Sequence, residues 1–250
     1  TFANQSTSSL TILPSFLTTT LNTGTAVTLQ ANNDITVNSA ITVNNPGGNG
    51  GALTLQAGRS VSINANITTD NGNLTIVANE LLANGVVNAQ RDAGSASLTM
   101  GFGTSINAGT GAVNLRIASG AGKTNFASGD ITLRSITAGT IKAENLGTTA
   151  GSDVIIASGT LAASGAGTPL VLASQGGNFI NNAGAGALST PGGRWLVYSQ
   201  NPGANTNGGL AGTSYYNTVY NPANPTGVSA SGNKFAYSLA ANLTVTPNSA

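Results

Sequence analysis

The carboxylates are the side chains with the clearest chemical potential. Enzymes that cleave glycosidic bonds pair two carboxyl groups about 5 to 9 Å apart, one acting as an acid and the other as a base or nucleophile. The seven carboxylates of this chain are thinly spread, at Asp34, Asp70, Glu80, Asp92, Asp130, Glu144 and Asp153. Those at 34, 130 and 153 directly precede short apolar stretches, where an Asx turn explains them. Stacking of Asp130 on Asp153 in successive repeats is the strongest indication of catalysis, but we expect no enzyme.

Two other motifs resemble parts of known sites. Residues 119–124 read SGAGKT and end like a phosphate-binding loop, but Ile117 occupies the position of the motif's first glycine. Ser231 and Lys234 have the spacing of a Ser/Lys nucleophile pair, yet the intervening Gly232 and Asn233 predict a turn rather than the helix such a pair requires. We therefore expect turns at both places and predict no bound cofactor.

The composition excludes several function classes. The 250 residues include no Cys and no His, which removes imidazole bases, thiolate nucleophiles, soft metal sites and disulfides. Only 8 Lys and Arg against 7 Asp and Glu leave a net charge of +1, so a phosphate-tracking nucleic-acid surface is not expected. No apolar run approaches the roughly 18 residues of a membrane span. The start of the chain lacks a signal peptide, so we expect any export signal to lie outside it.

Short apolar-polar-apolar triplets recur along the chain. They predict half-buried strands of about three to five residues, because alternate side chains of a strand point to opposite faces. Clusters of Gly and Asn between them predict tight turns. The triplets occupy residues 27–29, 35–37, 41–43, 53–55, 61–63, 74–76, 98–100, 113–115, 131–133 and 243–245.

One internal repeat is nearly exact. Residues 27–42 recur as residues 53–68, an offset of 26 positions. Such self-similarity predicts an all-β solenoid, a parallel β-helix whose coils bury their apolar faces only by stacking on neighbours. A two-sheet sandwich is the main alternative, although a sandwich does not require one stretch of the sequence to resemble the next. The spacing of strand starts suggests about nine or ten coils, a rod roughly 45 Å long.

The two ends differ from the middle. We predict a leading segment or cap over residues 1–24, β-helix coils over 25–190, and an aromatic- and Pro-richer closing or junction segment over 191–250. In the first segment, Leu17 and Leu21 precede Gly24 at helical spacing, which indicates either a short helical turn or a loop. The last segment contains Trp195, Tyr198, Tyr215, Tyr216, Tyr220, Phe235 and Tyr237.

Two sets of side chains are candidates for a contact surface. Tyr215, Tyr216 and Tyr220 could offer an aromatic platform to a sugar or protein, or could pack as an end cap, which we favour. The second set should point outward from strands and would form a flat ladder if aligned, as in ice-binding solenoids. It consists of Thr36, Thr54, Thr75, Thr99 and Thr132. Uneven coil lengths and the general preference of β-branched residues for strands weigh against ice binding.

Several runs are similar to repeats of the filamentous-haemagglutinin-like bacterial adhesins. They are GTAVTLQANNDITVNSAI (24–41), LTLQAGRSV (53–61) and TDNGNLTI (69–76). The stretch GGRWLVYS (192–199), followed by Asn201 and Pro202, resembles the end of such a β-helical region. The resemblance covers roughly residues 8 to 245, and the family's N-terminal secretion domain is not recognisable in it.

The resemblance implies a right-handed β-helix on the bacterial cell surface. It also implies export through an outer-membrane secretion transporter, which suits a chain without disulfides. Its partners would then be a protein or glycan on a host or neighbouring cell, and coils could associate end to end because an uncapped solenoid exposes strand edges. We expect a non-enzymatic structural and adhesive module. A carbohydrate-active β-helix enzyme and an ice-binding solenoid are the alternatives.

Overall fold

The computed structural model describes residues 1–2 and 9–240, which form one short helix and three parallel sheets. Sheet A has nine strands: β1 (Val27–Ala31), β4 (Leu53–Ala57), β7 (Leu74–Ala78), β10 (Ala112–Ile117), β13 (Thr140–Asn145), β16 (Gly167–Ser174), β19 (Gly193–Ser199), β21 (Lys234–Tyr237) and β20 (Thr213–Tyr215). Sheet B has six: β2 (Ile35–Val37), β5 (Val61–Ile63), β8 (Ala96–Met100), β11 (Ser128–Leu133), β14 (Val154–Ile156) and β17 (Phe179–Asn181). Sheet C also has six: β3 (Ile41–Thr42), β6 (Ile67–Thr68), β9 (Ser105–Asn107), β12 (Ser135–Ala138), β15 (Leu161–Ala163) and β18 (Leu188–Ser189).

The prediction of a right-handed parallel β-helix is confirmed. Every strand pairing described is parallel, which rules out the antiparallel sandwich. The sequence repeat is also the structural one, since Val27 pairs with Leu53, Ile35 with Val61 and Ile41 with Ile67. Inward side chains of successive coils therefore stack in columns of Leu, Ile and Val.

The expected nine or ten coils are too many. Each coil contributes one strand to each of the three sheets, so strands β1 to β18 make six complete coils. Triplets that looked like separate coils, such as 27–29 and 35–37, are different sides of the same coil. The nine strands of sheet A span about 38 Å at about 4.8 Å per spacing. The triplet 243–245 lies outside the described residues.

A short helix covers one end of the core. Helix α1 (Pro14–Leu21) begins with a proline at its first turn, where the missing N–H costs nothing. Leu17 and Leu21 are buried in the central apolar cluster, which decides between the two interpretations of this segment in favour of a helix. The carbonyl of Leu21 accepts a hydrogen bond from the N–H of Gly51, at 2.8 Å, and so ties the helix to the second coil.

The third coil carries an insertion between β7 and β8. It includes two short 3-10 helices, Leu82–Asn84 and Asn88–Gln90, and packs back onto the first two coils. Asn32 accepts a hydrogen bond from the N–H of Val87, and Arg91 donates to the carbonyl of Gly58, both at 2.8 Å. This insertion lengthens the coil, so equivalent residues that hydrogen-bond between coils 2 and 3 beyond it are 39 positions apart in the sequence.

The closing strands do not follow chain order. The later strand β21 lies between β19 and β20, so β20 is the outermost strand of sheet A. The residues 216–233 between these two strands, which we name the cover segment, fold over the outer face of sheet A. There they bury a second apolar cluster, separate from the central core, that consists of Val171, Ala173, Leu196, Tyr198, Tyr220, Val228 and Ala236.

Candidate functional site

The outer face of sheet A presents two rows of side chains, one residue from each strand per row. In the middle of the sheet, the first row places Thr75, Asn114 and Lys142 side by side on β7, β10 and β13. Two residues further along, the second row places Val77, Arg116 and Glu144 on the same strands. Strand alternation turns these six side chains outward, because the residues between them point into the core.

These six side chains line a groove of about 260 Å³. Its floor is the two-by-three patch of the two rows, with strands about 4.8 Å apart. The cover segment lies over the next strands of the sheet, where Val171 and Ala173 are buried. The groove is therefore an uncovered part of the outer face, next to a covered part.

Two cations in the groove share one buried carboxylate. Nε and Nη2 of Arg116 both donate to Oε2 of Glu144, at 3.0 and 2.7 Å. Nζ of Lys142 lies 3.3 Å from the same oxygen. The side chain of Glu144 is only 1% exposed, whereas those of Arg116 and Lys142 are 39% and 27% exposed. The cluster has a net charge of +1, and its cationic members are the ones that reach solvent.

Tyr220 of the cover segment holds the other oxygen of this carboxylate. Its hydroxyl donates a hydrogen bond to Oε1 of Glu144. Burial, this hydrogen bond and the charge of Glu144 raise the pKa of Tyr220, so the phenol stays protonated and remains a donor. The Tyr220 ring also packs edge-on against Tyr198, with centroids 4.9 Å apart. With both oxygens engaged, Glu144 is fixed in place.

The threonines proposed as one ladder are divided between two sheets. Thr54 and Thr75 lie in register on sheet A, where Thr28 extends the row on one side and Asn114 ends it on the other. On sheet B, Thr36, Thr99 and Thr132 share a row with Ser62, which separates the first two. The single flat row is not formed, because apolar-polar-apolar triplets occur on more than one side of each coil.

The three tyrosines do not form a common platform. Tyr220 is 5% exposed and belongs to the buried outer cluster, so it is not available as a contact surface. Tyr215 is half-buried against that cluster. Tyr216 is 38% exposed and packs its ring 5.5 Å from that of Tyr237. Tyr220 is buried because the cover segment folds onto the sheet, a contact that local sequence does not reveal.

Asp130 and Asp153 stack on neighbouring coils, as expected, and each supports the next coil. Oδ1 of Asp130 accepts from the N–H of Asp153 at 3.0 Å, and Oδ1 of Asp153 accepts from the N–H of Asn178 at 2.7 Å. Burial raises the pKa of Asp130, and the charge of Asp153 adds to the rise, while the Asp153 N–H opposes it. Asp34 makes the same contact with the N–H of Ser60.

The two remaining motifs are structural. Lys123 of the SGAGKT stretch is buried, and its Nζ donates to the carbonyl of Gly58 at 2.8 Å rather than pointing into a phosphate cradle. Burial lowers the pKa of Lys123 to about 8, and the nearby charge of Arg91 adds to this. Ser231 is exposed and lies outside the helices and strands, and Nζ of Lys234 donates to Thr213 at 2.6 Å.

The sequence interpretation missed the groove residues Arg116, Lys142 and Glu144. One signal was present, since Arg116 precedes Glu144 by 28 positions, close to the repeat length.

Within residues 1–2 and 9–240, no group of three or more acidic side chains is arranged to hold a metal ion. No helix among the described residues is both long and apolar enough to cross a membrane. Comparisons with protein-family models, curated proteins and solved structures find no match.

Proposed function

We propose that this chain is a structural and adhesive module, part of the shaft of a secreted bacterial surface adhesin or extracellular filament. The observation that carries the proposal is the continuity of three parallel backbone ladders through six coils. Ladders of this kind resist bending, because a bend strains the hydrogen bonds of at least one sheet. A stiff rod holds its faces and any attached domain away from the cell that carries it.

The low charge of the surface supports the same role. Coils that stack identical positions place like side chains about 4.8 Å apart, which favours neutral Asn, Thr and Gln. The stacked pairs Thr28–Thr54 and Gln30–Gln56 follow this rule, and the two glutamine amides are hydrogen-bonded at 2.8 Å. In the groove, where charged side chains do stack, Arg116 pairs with Glu144, so the two stacked charges are opposite and attract each other.

Secretion and location belong to the same proposal. The chain would leave the cell through an outer-membrane secretion transporter and act outside, against a protein or glycan of a host or neighbouring cell. The lack of cysteine supports this, since no disulfide can form before the chain is threaded through a pore. These assignments rest on the resemblance of the repeats to filamentous-haemagglutinin-like adhesins.

End-to-end association is part of the proposal. Strands β1, β2 and β3 are outermost in their sheets at the end covered by α1, and the core residues Val27 and Leu29 there are only partly buried. Leu13 and Phe16 beside them are 58% and 73% exposed. Outermost strands and exposed apolar side chains favour pairing with another coil. We expect light scattering to detect mass growth with concentration, and Phe16→Asp to suppress it.

A carbohydrate-active β-helix is the second candidate, because Asp130 and Asp153 stack one strand spacing apart. Retaining glycosidases hold their carboxyl groups at about this separation. Both carboxylates, however, already accept backbone N–H groups of the next coil, a structural task. The ice-binding alternative loses the single threonine row on which it depended.

The proposed function is tested with the full chain attached to beads by one terminus. Beads are driven by flow over surfaces coated with host-cell glycans, matrix proteins or intact bacteria, and electron microscopy of the free chain records its shape. The proposal predicts rods about 4 nm long or longer filaments, and retention of beads on at least one surface. Rod-shaped particles that are retained on none of the surfaces would refute the adhesive role, and compact particles would refute the shaft.

A further inference from the structure

We propose that the groove lined by Thr75, Val77, Asn114, Arg116, Lys142 and Glu144 binds the carboxylate of an acidic saccharide. The inference deepens the adhesive role proposed above and rests on it for its biological setting. The binding event itself requires only the groove. The ligand class is a sugar unit with one negative charge, whereas the adhesive role above names only a protein or glycan as the partner.

Donor groups remain free for a ligand after the internal contacts are made. Nε and Nη2 of Arg116 donate to Glu144, and Nη1 takes part in none of the hydrogen bonds formed by the described residues. Lys142 carries three N–H donors, and one of them is used in the 3.3 Å contact of Nζ with Oε2 of Glu144. A guanidinium edge and an ammonium on adjacent strands provide charge-assisted hydrogen bonds to a carboxylate.

Glu144 does not compete with such a ligand. Its side chain is 1% exposed, and its two oxygens are held by Arg116, Lys142 and Tyr220. The buried carboxylate therefore orients the two cations and offers neither oxygen to a ligand, while its charge offsets one of theirs. Two positive charges against one negative charge leave room for a single further anion.

The neutral lining suits a sugar ring. The Thr75 hydroxyl and the Asn114 amide lie in the row beside Arg116 and can exchange hydrogen bonds with sugar hydroxyls, while Val77 offers an apolar contact to ring C–H groups. The volume of about 260 Å³ lies just below the range of about 300 to 1,000 Å³ found for small-molecule sites. It fits one unit of a longer chain rather than a large ligand.

The charge distribution favours a sparsely charged ligand over a dense polyanion. The outer face of sheet A carries two other cations on its strands, Arg194 and Lys234. Arg194 is occupied under the cover segment by the carbonyls of Val228 and Ala230, and Lys234 donates to Thr213. A heavily sulfated chain or a nucleic acid needs a track of cations, whereas the groove offers one cluster.

Binding is tested by calorimetry on the full chain with three probes: a galacturonic acid hexamer, a hyaluronan octasaccharide and 3′-sialyllactose. For each acid that binds, its methyl ester is the matched neutral probe. We expect at least one acid to bind and its ester to bind at least tenfold more weakly. Absence of binding by all three acids, or equal binding of acid and ester, overturns the inference.

Variants locate the site. Lys142→Met removes one groove cation and leaves the Arg116–Glu144 pair, so the fold should persist, as circular dichroism can check. We expect it to weaken acid binding at least tenfold, and Arg116→Gln to do the same. The matched control Lys234→Gln, on the same face outside the groove, should stay within twofold. Unchanged binding by folded Lys142→Met, or tighter binding of a sulfated heparin tetrasaccharide with the same dependence on Lys142, contradicts the proposed ligand.

The outcome is separable from that of the proposed function. Folded rods that adhere to a cell surface but bind none of the three acids would overturn the groove assignment while leaving the adhesive shaft in place. Acid binding that depends on Lys142, in a chain that shows neither rod shape nor bead retention, would establish the groove and refute the shaft.

Discussion

The hydroxyl of Tyr220 donates a hydrogen bond to Oε1 of Glu144, a residue 76 positions earlier in the chain. Tyr220 is 5% exposed and belongs to the cover segment, whereas Glu144 lies on β13 in the fifth coil. Because Arg116 and Lys142 bind the other oxygen of the same carboxylate, one side chain joins the groove to the closing segment. The groove and the cover therefore depend on each other.

Replacing Tyr220 with phenylalanine should loosen the cover segment. The change keeps the ring in the apolar cluster but leaves Oε1 of the buried Glu144 carboxylate without its donor, a loss of about 1 to 3 kcal/mol. Denaturant unfolding measures this loss, and limited proteolysis within residues 216–233 should become faster. Tyr216→Phe is the matched control, since Tyr216 is 38% exposed, and should change stability little. Equal effects of the two variants would contradict a specific role for the Tyr220 hydroxyl.

Replacing Gly51 with alanine should disturb the turn that leads into the second coil. A Cβ at this position would lie 2.0 Å from the carbonyl oxygen of Thr25, which is backbone and cannot rotate away. We expect a loss of about 1 to 3 kcal/mol in thermal or denaturant unfolding. In contrast, a Cβ at Gly186 meets no atom within 4 Å, so Gly186→Ala should leave stability within about 0.5 kcal/mol. A stable Gly51→Ala variant would mean that the coils are less tightly stacked than described.

Lys123 should make stability depend on pH in the alkaline range. Burial lowers its pKa from 10.5 to about 8 in the folded chain, so between these values the unfolded chain holds more protons. The free energy of unfolding contributed by Lys123 therefore rises as pH increases from about 8 to 10.5, by at most about 1.4 kcal/mol per pH unit.

The difference between the wild type and Lys123→Met isolates this contribution, because ionisation of the tyrosines affects both proteins. We expect the variant to lack the rise between pH 8 and 10, while the matched variant Lys234→Met retains it. Parallel pH profiles of the wild type and Lys123→Met would show that the Lys123 ammonium is not destabilised by its surroundings.

The coil architecture was predictable because stacking repeats the sequence. Val27 pairs with Leu53 in the structure at the 26-residue offset seen in the sequence, and alternation sets which side chains enter the core. The number of coils was not predictable, since the triplets on different sides of a coil are alike. The insertion after β7 also hides the repeat by extending one coil to a 39-residue offset.

The candidate site was much less predictable. Arg116 and Glu144 come together only when the correct coil register is known. The burial of Tyr220 depends on residues 216–233 folding back over the outside of sheet A, and on β21 entering between β19 and β20. No local pattern signals a contact of this range. Composition nevertheless indicated the rarity of charged clusters, and the two ion-pair clusters among the described residues, around Arg59 and around Glu144, both combine opposite charges.

Whether the chain is a non-enzymatic shaft is decided by product analysis on a polysaccharide panel. The full chain and its Asp130→Asn and Asp153→Asn variants are incubated with neutral and acidic polysaccharides, and mass spectrometry detects any shortened or unsaturated products. A non-enzymatic shaft releases no product, so we expect none from any of the three proteins. Turnover by the wild type that either substitution abolishes would contradict a non-enzymatic shaft and identify Asp130 and Asp153 as the catalytic carboxylates of a carbohydrate-active enzyme.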